Sequence, residues 1–200
     1  MIKHTLYCLF LPEIIIIMNQ TKTNILIAVV LVVFAAVLKV ATYPYSFNPI
    51  IAISLFSGAV IADKKLAFAM PLLAMFAADI MLEVSAIAPG FYGMEQIGNY
   101  AALLLVTVLG FMMKKINPVN VVGFSIASSL LFYILSNTNS FLFDSFNMYE
   151  SGISGWVKCM VAGLPFVKTG ILTDLIFSVL FFGGHFLAFK GFAGKKPVKA

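Results

Sequence analysis

"LPFVKTGILTDLIFSVLFFGG", Leu164 to Gly184, has the length and apolarity of a membrane-crossing helix, yet it carries Lys168 and Asp174. About 20 apolar residues in a helix cross the hydrocarbon of a bilayer. An ionised carboxylate there costs several kcal/mol, so Asp174 must face a bundle interior or a wet cavity. Reading this stretch as a transmembrane helix decides the fold, because the rest of the chain has the same character.

Of the 200 residues, 62% are hydrophobic and only 10% are charged, and the mean hydropathy is +1.03. A soluble domain carries roughly a quarter charged residues, so lipid is the expected solvent. Outward from the opening stretch, five further apolar runs stand at Ile25–Ala41, Pro49–Ala62, Leu66–Leu82, Gly98–Met113 and Val119–Leu135. With the last run continuing to about Lys190, the expected fold is all-α: a six-transmembrane-helix bundle. Residues 25–190 form one helical domain, preceded by an N-terminal segment (1–24) and followed by a basic tail (191–200). Pro12 and Glu13 interrupt the first apolar stretch, which lacks a small-residue cleavage site. Met18 therefore reads as the biological start and residues 1–17 as an over-extension, with a short interfacial segment as the alternative.

The net charge of +5 comes from 13 lysines and no arginine. Lys22, Lys64, Lys65, Lys114, Lys115 and the C-terminal lysines fall between or beside apolar runs, on one side of a six-span arrangement. By the positive-inside rule that side and both termini are cytoplasmic. The pattern encodes membrane topology and speaks against nucleic acid as a partner. Ser136–Gly163 is too polar to span and rich in aromatic residues, so it is expected to cap the outer face, with a short amphipathic helix near Trp156–Val161.

On this topology Asp79, thirteen residues into its span, lies about 20 Å from the inner surface at the helical rise. Asp174 enters from outside. Both belong to the outer half, where Lys39 and Lys168 also fall, so the four side chains are expected to form one outer polar cluster, with Glu83 one turn beyond Asp79. Such groups either hold a polar ligand or a coupling ion, or lock helices together as buried ion pairs; either lysine alone would instead snorkel to the headgroups. Tyr45, Tyr100 and Trp156 are among the outer aromatic residues, a distribution that suits stacking on a ligand or a one-sided interfacial belt. Asn48, Asn99 and Asn139 sit at outer helix ends, where they cap helices or line a pocket. Ser54 with Gly58, and Ala74 with Ala78, are small pairs four apart that permit close helix approach. Asn-Pro at Asn48–Pro49 and Asn117–Pro118, each followed in the next span by Pro…Asp, reads either as chance similarity between apolar segments or as an inverted repeat of the kind transporters use.

Cys8 and Cys159 have no metal-ligand spacing and read as small apolar residues. The chain has no His-Glu-x-x-His, no phosphate-binding glycine loop and no Gly-x-Ser-x-Gly. No enzymatic activity, metal or cofactor is expected.

The blocks "FNPIIAISLFSGAVIADKKLAFAMPLLAMFAADIML", "ILSNTN" and "VKCMVAGLPFVKTGILTDLIFSVLFFGG" resemble an uncharacterised family of small bacterial multi-pass proteins, across about Tyr43–Gly184. The resemblance marks Asn48–Pro49, Asp79, Thr138–Asn139, Pro165–Phe166 and Asp174 as motif positions. More distantly, the chain is similar to the substrate-binding S components of energy-coupling-factor vitamin transporters, six-helix proteins with an outer ligand pocket and cytoplasmic termini. That likeness implies a partner ATPase with a coupling subunit. The first span departs from it, since Ala28, Ala35 and Ala36 make no small pair four apart. The expected function is therefore binding or transport of a small polar or aromatic solute from the outer face. A non-transport scaffold with structural ion pairs is the alternative.

Overall fold

The computed structural model describes residues 29–45, 47–144 and 147–193. The segment 1–24, the first turn of the first expected span, Cys8 and most of the basic tail lie outside the described residues. Within them the chain is all-helical: α1 (Val29–Ala41), a 3-10 turn at Tyr43–Tyr45, α2 (Ile50–Val60), α3 (Lys64–Ser85), α4 (Met94–Phe111), α5 (Pro118–Phe143) and α6 (Ile153–Ala193).

Each of the six expected spans has its helix, but they are not equivalent. α3, α4, α5 and α6 are long and apolar enough to cross a membrane. α2 has 11 residues, about 16 Å at the helical rise, and cannot cross ~30 Å of hydrocarbon alone. Its N-terminus is buried, with Ile50 only 2% exposed, so α2 begins inside the bundle.

Local chemistry sets the helix starts. The Asp63 carboxylate caps α3 by accepting from the Lys65 and Leu66 amides at 2.8 and 3.3 Å, and the Asn117 side chain caps α5 through the Asn120 amide at 2.8 Å, with Pro118 in the first turn. These bonds satisfy amides that a helix start leaves orphaned. Pro71 lies inside α3 and Pro165 inside α6.

Ser136–Gly163 is not a separate cap. It consists of the last turns of α5, a loop, and the first turns of α6; the short helix expected near Trp156 is part of α6. Its polar residues stay helical because they find partners within and between helices. Asn137 donates to the Tyr133 carbonyl at 2.9 Å, Tyr133 donates to the Met160 carbonyl, and Trp156 Nε1 donates to Thr138 Oγ1 at 3.1 Å. The buried Cys159 thiol donates to the Asn137 carbonyl at 3.2 Å.

α2 lies at the centre, packed on α3, α4, α5 and α6. Two apolar clusters surround it, one built on Ile50, Ile53, Met70, Ala74 and Leu103, the other on Leu55, Phe56, Val106, Val121 and Phe182. Gly58 and Gly110 let α2 and α4 touch at the backbone: a Cβ on Gly58 would stand 2.1 Å from the Thr107 carbonyl oxygen, and one on Gly110 2.5 Å from that of Leu55. The opposite faces are apolar and exposed, as along Leu164, Leu172, Val179 and Leu180 of α6. In water so continuous an apolar surface would be a liability; it is compatible with a membrane protein whose perimeter meets lipid.

Candidate functional site

Asp79 is 1% exposed and lies on the inner face of α3. Lys39 near the end of α1 places Nζ 2.8 Å from Asp79 Oδ1 and 3.1 Å from Met75 Sδ. From α4, Gln96 Nε2 and the Tyr100 hydroxyl donate to Asp79 Oδ2 at 2.7 and 2.6 Å. One carboxylate therefore ties three helices, with both oxygens occupied. In a medium without water such saturation is what makes a buried charge tolerable.

Beside this pair a cavity of about 500 Å³ opens among α1, α2, α3, α4 and α5. Its polar lining is Lys39, Tyr43, Asn48, Asp79, Tyr92, Glu95 and Asn99; Ile51, Leu103 and Phe132 are part of its apolar wall. The polar groups are themselves held in place. Asn99 donates to the Tyr92 hydroxyl at 3.2 Å, leaving the Tyr92 O–H to donate elsewhere. Burial pushes the Tyr92 hydroxyl above the usual tyrosine range, so it stays neutral at ordinary pH. Asn139, 8% exposed on α5, donates to the Glu95 carbonyl at 2.6 Å and to Asn99 Oδ1 at 3.4 Å. Ser140 donates to the Glu95 carboxylate. The α3–α4 connection is fixed by Glu83, which accepts from the Gly90 amide at 2.8 Å, and by Gln96, which also reaches the Gly90 carbonyl at 3.1 Å.

The expected four-residue cluster is divided by the structure. Lys39 and Asp79 meet; Asp174 and Lys168 do not join them. Asp174, 2% exposed, accepts from Ser129 Oγ of α5 at 2.6 Å and faces the backbone of Ala52 in the first turn of α2. Asn48 Oδ1 accepts from the Ile50 amide at 3.3 Å. Asp174 thus faces, from another helix, the α2 N-terminus that begins inside the bundle, where orphan amides and the helix dipole favour an anion. One turn along each helix, Ser125 and Ser178 carry buried hydroxyls without a hydrogen-bond partner among the described residues.

Lys168 is exposed on the same α6 face as Leu164 and Leu172, which is the snorkelling position rather than a site position. Tyr45 is 74% exposed and outside the cavity lining. Trp156 joins α6 to α5 instead of facing the cavity. Tyr100 acts on Asp79 and Asn139 on Asn99 and Glu95, both from behind the lining. Gln96 and Glu95 were not anticipated as site residues, whereas Tyr43 and Tyr92 belong to the outer aromatic set and do line the cavity. Gln96 and Glu95 open α4 and look like ordinary interfacial polar residues, and only the fold brings them to Asp79. Among the described residues no group of three or more His, Cys, Asp or Glu could hold a metal ion.

No curated protein and no solved structure matches the chain. The model of a family of unknown function, DUF6580, matches residues 19–196, and with so much of its length covered the chain belongs to that family.

Proposed function

We propose that this chain is a multi-pass membrane protein that binds a small polar or aromatic solute in the cavity beside the Lys39–Asp79 pair and takes part in its transport. The observation that carries this reading is the cavity itself. Its volume of about 500 Å³ lies within the roughly 300–1,000 Å³ of small-molecule sites, and its apolar wall is punctuated by a few oriented polar groups. The lysine distribution supports a topology with both termini cytoplasmic in a bacterial plasma membrane, so that the cavity opens toward the outer face. The reading resembles an S component, with energy supplied by a partner ATPase and its coupling subunit or by an ion gradient; it involves no catalytic turnover. Native mass spectrometry of the full chain, extracted from its own membranes, tests it. A co-purified small molecule that is lost in Asn99→Leu, with the fold intact, is the expected result.

A scaffold role is the second reading, and the saturation of Asp79 by Lys39, Gln96 and Tyr100 favours it. A native spectrum free of small molecules but containing another membrane subunit would support the scaffold.

A further inference from the structure

The charges lining the cavity do not balance. Among the described residues its cation is Lys39 and its anions are Asp79 and Glu95. Lys39 is already committed to Asp79 at 2.8 Å. Glu95 forms no ion pair among the described residues; the Ser140 hydroxyl donates to one carboxylate oxygen. Glu95 opens the first turn of α4, where the helix dipole supplies roughly half a positive charge, not enough to neutralise it. A partly buried cavity with a net negative lining concentrates cations, because low-dielectric walls focus its field. Tyr43 and Tyr92 line the same cavity, and phenol rings present a negative face to a cation.

We propose that the solute carries an ammonium or similar organic cation, held at the Glu95 carboxylate with the Tyr43 and Tyr92 rings in the surrounding wall. Its apolar body lies toward Ile51, Leu103 and Phe132. This rests on the solute-binding reading above and specifies its substrate class. The Lys39–Asp79 pair disfavours an anionic solute in this role, because the Lys39 charge is already offset by Asp79 at 2.8 Å.

Three probes of matched size test the assignment on the full chain in lipid nanodiscs: phenethylamine, 2-phenylethanol and 3-phenylpropionate. Calorimetric titration is expected to rank the amine at least about tenfold tighter than the alcohol and the acid, about 1.4 kcal/mol. Glu95→Gln should reduce the amine to the level of the alcohol. Glu95→Asp should restore part of the preference. Preference for the acid, equal or absent binding of all three, or an amine preference that survives Glu95→Gln would each overturn the assignment. A co-purified neutral or anionic molecule in the native spectrum would overturn the cation while leaving the solute-binding reading standing. Finding no molecule at all would remove both.

Discussion

The Ser129 hydroxyl of α5 donates to the Asp174 carboxylate of α6 at 2.6 Å, on the seam against which α2 begins. Asp174 and Asp79 therefore do different jobs. Asp79 ties α1, α3 and α4 together beside a cavity; Asp174 closes α5, α6 and the buried start of α2.

The Asp174 seam predicts a graded series. Asp174→Ala removes the acceptor for Ser129 and the anion facing the first turn of α2, and should cost about 3 kcal/mol or more, as breaking a buried polar network does. Asp174→Asn keeps an acceptor oxygen and should cost less. Ser129→Ala deletes one donor and should cost about 1–3 kcal/mol. Ser178→Ala removes a buried hydroxyl that has no partner among the described residues, and should be neutral or stabilising. Thermal unfolding of the four variants in one lipid environment checks the order. A Ser178→Ala variant as damaged as Asp174→Ala would refute it.

The Lys39–Asp79 pair predicts non-additivity. Removing one partner of a buried pair leaves the other charge uncompensated, at about 3–5 kcal/mol. Lys39→Met and Asp79→Leu should each fall in that range, while the double variant should be less destabilised than either single change. A double-mutant cycle measures the coupling directly. Simple addition of the two losses would mean that the groups act independently.

The six helices, Asp79 and Lys39 as interior polar residues, and the short α2 with Gly58 were legible because hydropathy and charge are local signals. The division of Asp79 from Asp174 was not legible. Both acids sit in the same half of the expected topology, and only helix packing decides which neighbours each one meets. The end of α5 misled for a different reason: Asn137, Thr138, Asn139 and Ser140 look like loop composition, yet they stay helical because α4 and α6 provide partners. Gly110 lacked any visible pairing with Gly58, since the two lie on different helices. Glu95 has no local signal that marks it, and only the fold places it in the cavity lining.

Gly58 and Gly110 should tolerate almost nothing larger. The Cβ of Gly58→Ala would stand 2.1 Å from the Thr107 carbonyl oxygen, a backbone atom with no rotamer to relieve the clash. Inserting even one carbon should force α2 and α4 apart and cost about 1–3 kcal/mol, and Gly58→Leu should prevent stable folding. Gly123, whose Cβ would meet nothing within 4 Å, is the control: Gly123→Ala should be neutral or stabilising, since alanine favours the helix by about 1 kcal/mol. Melting temperatures of the three variants decide between a required close approach and a general intolerance of glycine replacement.

Lys168 gives the sharpest test of what the fold removed from the expected site. It is exposed on α6 beside Leu164 and Leu172 and lies outside the cavity lining. Lys168→Gln should leave both stability, within about 0.5 kcal/mol, and amine-probe affinity unchanged. Lys39→Gln should disturb both, since it strips Asp79 of its counter-ion and alters the cavity wall together. Measuring melting temperature and phenethylamine affinity on the two variants separates a lysine that faces lipid from one that builds the cavity. A loss of affinity in Lys168→Gln without loss of fold would place Lys168 in the site after all.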